Sequence, residues 1–163
     1  MQEISFKSNF SVRSYKATDI FRVADLIAEL QVFHDLSVQD REDILWDLNN
    51  IPASFEVWVV CDANDIPVGL AMCASIPGPG IKAGLFLKEI FVSSSYRNHG
   101  LGKMLIRKVV ASARDRGMLR IDWLASADNK KAHDFYKQIG AKDCDSVVFF
   151  RIDSPILDNF PDL

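Results

Sequence analysis

Arg97-Asn98-His99-Gly100-Leu101-Gly102-Lys103 constrains the fold of this chain more than any other stretch. It follows an apolar, strand-like run, Gly84–Val92, and opens an amphipathic run that reaches Arg116 and stops at Gly117. The order is therefore strand, glycine turn, helix. Glycines let main chain approach a ligand closely. The first turn of a helix adds unpaired N–H groups and the positive end of the helix dipole. The expected product is a main-chain cradle for a pyrophosphate-like anion, with a simple tight turn as the alternative. The stretch is not a Walker A loop, because no Gly-Lys-Ser/Thr closes it. Nor is it the full dinucleotide fingerprint, because the third glycine is missing.

The rest of the chain supplies elements for a mixed sheet with helices. Ser11–Tyr15 reads as a short strand. Thr18 and Asp19 precede a helix with Ile20, Val23, Ile27 and Leu30 on one face, ending near Gln31. Val32–Gln39 reads as a loop and Asp40–Asn49 as a second helix with Ile44, Leu45 and Leu48 as its apolar side. Glu56–Cys61 and Pro67–Ser75 are the arms of a hairpin turned by Asp62-Ala63-Asn64-Asp65, and Pro77–Gly80 breaks the chain again. Leu119–Leu124 is a strand, Asn129 caps a helix that ends at Gly140, and Ser146–Ile152 is a last strand. One domain over 1–163 is expected, with 153–163 as a tail.

Charge and composition narrow the function. With 19 basic and 22 acidic residues the net charge is −3, which lacks the basic face of a nucleic-acid binder. No apolar run approaches the roughly 18 residues needed to span a bilayer. Met1–Phe10 has neither the apolar core nor the cleavage site of a leader. Cys61, Cys73 and Cys144 make no metal or disulfide pattern and read as reduced thiols of a cytoplasmic protein.

Beyond the cradle, Asn129, Ala132, Phe135-Tyr136 and Gly140-Ala141 follow in order. Together with Arg97–Lys103, these residues resemble the GNAT superfamily of acetyl-CoA-dependent N-acetyltransferases. The resemblance covers about Leu87–Ala141 in motif and the remainder in element order. Within the superfamily it is nearest to the diamine, spermidine/spermine-type acetyltransferases, through the strand ending Phe91-Val92, Tyr96-Arg97 before the cradle, and the run Phe135-Tyr136-Lys137. The fold this implies is α/β: a mixed, mostly antiparallel sheet with a splayed central parallel strand pair and about four flanking helices.

The resemblance implies acetyl transfer from acetyl-CoA to a primary amine of a small molecule, by direct attack in a ternary complex, with no metal. Pantetheine would pair with the backbone of Ile90, Phe91 and Val92. A bulge in that strand would aim an N–H at the thioester carbonyl. The pyrophosphate would lie on Arg97, Asn98, His99, Gly100, Leu101, Gly102 and Lys103. Asn129 and Phe135 would meet the cofactor, and Tyr136 would protonate the leaving thiolate. Phe33, His34 and Asp35, after the first helix, would line the acceptor. An alkylamine titrates near ~10.4, so freeing it at neutral pH costs about 4–5 kcal/mol. Glu89 is the candidate base. Lys88 departs from the diamine enzymes, which carry an acid there. A cation facing the acceptor would repel a polyamine, whereas strand alternation puts Lys88 on the face opposite Glu89. Tyr136 could instead be core beside Ala132, Phe135 and Ile139, and Glu89 a surface carboxylate. A homodimer is implied, with no nucleic acid and no membrane. The competing functions are a non-catalytic acyl-CoA sensor or scaffold, and acetylation of aminoglycosides or protein amino groups.

Overall fold

A computed structural model describes residues 9–78, 82–144, 146–154 and 156–159. The leader reading of Met1–Phe10, the break at Pro79-Gly80 and the end of the tail lie wholly or partly outside these residues. Strands are β1 (Ser11–Ser14), β2 (Phe55–Cys61), β3 (Pro67–Ile76), β4 (Gly84–Val92) and β5 (Arg120–Trp123). Helices are α1 (Ile20–Phe33), α2 (Arg41–Asn49), α3 (Leu101–Asp115) and α4 (Lys130–Gln138). The chain forms two compact units, Met1–Leu124 and Ala125–Leu163.

The first unit holds one sheet in the order β1-β2-β3-β4-β5. The first three pairings are antiparallel and β4–β5 is parallel. This is the mixed sheet with four helices expected from the sequence. Its parallel pair stands at the end of the strand order.

Two helical layers cover the sheet. On one face Val23, Leu26 and Leu30 of α1 and Ile44 and Leu48 of α2 bury against Val57, Val59, Leu70, Met72 and Phe91. Leu26, rather than Ile20 or Ile27, carries the centre of α1's buried stripe. Helix α3 packs against β2, β3 and β4, burying Leu101, Leu105, Ile106, Val109 and Ala113 at helical spacing. Each fully buried Leu or Val of this kind contributes about 1.5–3 kcal/mol.

Strand β4 changes face midway. Leu87 pairs with Cys73 and Glu89 with Met72, so Lys88 is an extra residue, a β-bulge. Leu85 and Leu87 share a face with Ser75 and Cys73. Beyond the bulge, Glu89 and Phe91 share the face of Met72 and Leu70, which α1 and α2 cover. Without the bulge, all four would lie on one side.

The approach to α1 differs in detail from the expected Thr18 cap. Ala17–Asp19 form a 3-10 turn. Asp19 is buried, accepts the Lys16 N–H at 2.8 Å and takes two bonds from the Arg13 guanidinium at 2.7 and 3.0 Å. Arg13 also reaches Asp65 at 2.7 Å, tying β1 to the β2–β3 turn.

In the second unit, the Asn129 side chain accepts the Ala132 N–H at 3.1 Å and so caps α4. The strand expected at Ser146–Ile152 does not form among the described residues. A strand exists only by pairing, and the described remainder of this unit is a helix, a 3-10 turn and irregular chain.

Candidate active site

The cradle is built by backbone conformation. Asn98 and Gly100 both adopt positive φ, 65° and 74°. For Asn98 this is tolerable, and for Gly100 it costs little because glycine has no Cβ. Gly100 is the N-cap of α3 and supplies no side chain to cap it. The first helical bond is Met104 N–H to the Gly100 carbonyl at 3.1 Å. The N–H groups of Leu101, Gly102 and Lys103 therefore precede the helical ladder. A Cβ placed on Gly100 would meet nothing within 4 Å, so the space before the helix is open. The Lys103 side chain is exposed and adds a positive charge. This donor set fits a diphosphate. Acetyl-CoA would place its pyrophosphate there and supply the acetyl thioester.

His99 contributes to the shape of the turn. Its Nδ1 lies 2.9 Å from the Arg97 carbonyl, to which the Nδ1–H form donates. Phe10 stacks near it and edge-on to Tyr96, with ring centroids 6.0 and 6.2 Å apart, a support for the cradle that the sequence did not signal.

Next to the cradle, the sheet forks. Strand β5 pairs with β4 only from Gly84 to Leu87, opposite Arg120 to Trp123. It ends there because the chain turns polar and irregular through Ser126–Asn129. Among the described residues no strand pairs with the β5-facing edge of β4 from Lys88 to Val92. The bulge at Lys88 therefore lies at the apex of the fork. Within this edge the Val92 carbonyl already accepts Arg97 Nε at 3.0 Å. A carbonyl has two lone pairs, so it retains capacity for an amide of an inserted arm.

The expected acceptor residues converge on the same corner. The Arg97 guanidinium lies 4.3 Å from the Phe33 ring centroid and 5.4 Å from that of Phe91. Phe33 and Phe91 stand 6.0 Å apart, and His34 packs edge-on to Phe33. Asp35 turns the chain with φ 55°. Arg97 thus joins α1 to the end of β4 by stacking, a role the sequence did not show. Two residues before Phe91 and on its face is Glu89. Lys88 does not point away from it: the bulge brings the Lys88 Nζ to 3.2 Å from Glu89 Oε1.

Asn129, Phe135 and Tyr136 lie in the second unit. Asn129 uses its carbonyl oxygen as the α4 cap and keeps its amide donors. Phe135 and Tyr136 stack at 5.4 Å. Burial pushes the Cys61 and Cys73 thiols up to about 11 and about 12, so neither is a thiolate nucleophile at neutral pH.

The acetyltransferase (GNAT) family model matches residues 22–141. The L-ornithine N5-acetyltransferase NATA1 of Arabidopsis thaliana is 27% identical over 139 residues, 82% of this chain and 61% of that protein. The thialysine N-epsilon-acetyltransferase of Caenorhabditis elegans is 26% identical over 160 residues, 94% of this chain and 98% of that one. An uncharacterized N-acetyltransferase of Methanocaldococcus jannaschii is 34% identical over 83 residues, 50% of this chain and 37% of that one. The chain spans 61% of the length of the first of these relatives and 37% of the third. Among solved structures, an integron cassette protein from the mobile metagenome of V. cholerae superposes with a TM-score of 0.81 at 23% identity, covering 93% and 96% of the two chains. The aminoglycoside N-acetyltransferase AAC(6')-Iy in complex with CoA gives 0.73 at 21% identity, covering 88% and 94%. These two share the fold. The chain belongs to the acetyltransferase (GNAT) family.

Proposed function

We propose that this protein transfers acetyl from acetyl-CoA to a primary amine of a small molecule by direct attack. The observation that carries the reading is the forked β4 edge, bulged at Lys88, running into the open N-terminus of α3. The fork takes the pantetheine arm as an added strand and the helix takes the diphosphate. A backbone N–H at the bulge polarises the thioester carbonyl. Glu89 receives the proton of the acceptor ammonium, directly or through water, and Tyr136 returns one to the leaving sulfur.

Phe33, Phe91 and His34 form an aromatic wall for the acceptor, and Lys88 adds a cation beside Glu89. That cation favours an amino compound over a long polyamine, because two ammonium groups near it repel. Relatives named for ornithine and thialysine accord with such an acceptor. The reading includes a cytosolic homodimer. Among the described residues no helix is long and apolar enough to cross a membrane.

The test is Glu89→Gln with a turnover amine. Its kcat should fall roughly tenfold or more while acetyl-CoA affinity holds. Its rate should then climb about tenfold per pH unit, following the free amine. An unchanged kcat at neutral pH removes Glu89 from the mechanism.

A further inference from the structure

We infer that Lys88 is itself an acetyl acceptor, so that the chain acetylates its own Lys88 Nζ when acetyl-CoA enters the fork and no other amine is present. The inference rests on the acetyltransferase reading above. Lys88 is the bulged residue immediately after the last β4–β5 pair, Leu87 with Trp123, and so stands at the apex where an acyl arm inserted along β4 must stop. Its side chain is 60% exposed, and its ammonium sits 3.2 Å from the Glu89 carboxylate. That is the relation an acceptor amine needs to its base. Of the other described lysines, Lys16 pairs with Asp65, Lys137 pairs with Asp143 and Lys108 lies over Trp58.

In the step, Glu89 takes a proton from the Lys88 ammonium and passes it to water. The freed nitrogen bonds to the acetyl carbon, the carbon–sulfur bond breaks, and the second proton that the nitrogen sheds on becoming an amide passes to the leaving thiolate. The products are Nε-acetyl-Lys88 and CoA thiol. Because the amine is tethered, the step is unimolecular and gains from proximity. Acetylation removes the positive charge and the ion pair. Glu89 is then open to an incoming ammonium, and the site shifts toward dicationic acceptors.

The full chain is incubated with acetyl-CoA alone and followed by intact mass and peptide mapping. One acetyl group should appear on Lys88 roughly tenfold or more faster than on Lys16 or Lys142. The rate per molecule should be independent of protein concentration, and a turnover amine at saturation should protect Lys88. Lys88→Arg should abolish the modification, and Glu89→Gln should slow it at Lys88 alone. Equal rates at Lys88 and Lys16, or a rate that rises with protein concentration, overturn the inference. Thiol release with added amines, measured in the same preparation, separates the two claims. Turnover without Lys88 acetylation overturns only the self-acetylation, whereas neither signal overturns both.

Discussion

Gly102→Asp should raise stability and lower acetyl-CoA affinity in the same molecule. Gly102 is the second residue of α3, behind an N-cap that has no side chain. Replacing a helical glycine gains a few tenths of a kcal/mol in propensity, and a carboxylate in the first turn gains about 0.3–1 kcal/mol from the dipole. A total near 1 kcal/mol raises Tm by about 2–4 °C for a chain of this size. The same carboxylate would repel a phosphate bound at the helix start, and a separation of ~5 Å sets the scale of that repulsion. Coulomb's law gives ~0.8 kcal/mol there in water and ~3.3 kcal/mol at an effective dielectric of 20. Affinity should thus drop between roughly 4-fold and 250-fold, and the loss should shrink as salt is added. Thermal unfolding reads the first effect and calorimetric titration with acetyl-CoA the second. A raised Tm with unchanged affinity would refute the cradle, because the variant would then be folded and the charge in place with no anion to feel it.

Three further outcomes are expected. Gly69→Ala places a Cβ 2.7 Å from the Phe91 carbonyl and within 3.1 Å of Val60 and Val92 methyl groups, so β4 must shift. Stability should fall by about 1–3 kcal/mol, or about 2–12 °C in thermal unfolding. Burial raises the Asp19 carboxyl, but the Arg13 guanidinium and the Lys16 N–H outweigh it and hold it below the ordinary 3.8. Its contribution is therefore complete above pH 3.8 and is lost as pH falls through the lowered value. Asp19→Asn should cost about 2–4 kcal/mol at neutral pH and flatten that acid limb in denaturant titrations. Tyr136→Phe should keep acetyl-CoA affinity and lower kcat roughly tenfold or more in initial-rate assays.

Where periodicity and punctuation agree, the sequence was readable to within a residue. Gly84–Val92 is a strand at both ends, and α3 begins at its glycine and stops before Gly117 because each end has its own chemistry. The bulge at Lys88 was not readable by alternation, since one extra residue reverses every later side chain. Its trace is that Leu85 and Leu87 continue into Glu89, a charge where the apolar face should go on. Only the family resemblance implied it. The Phe33–Arg97–Phe91 stack joins residues far apart in the chain, and no local pattern encodes such a meeting. Ser146–Ile152 has strand composition without a strand, because β propensity is expressed only against a partner. Tyr136 and Asn129 remain assigned through the family pattern, with α4 and its cap as the structural part of that assignment.

Free-thiol release from acetyl-CoA over a panel of amines decides whether acetyl is transferred at the fork. The panel runs from putrescine and spermidine through ornithine, lysine and thialysine to aminoglycosides and short peptides. Turnover is expected with an amine of the amino-acid class, faster than with spermidine, and suppressed in Glu89→Gln. Tight acetyl-CoA binding with no thiol release from any amine would contradict it and leave an acyl-CoA-binding module in its place.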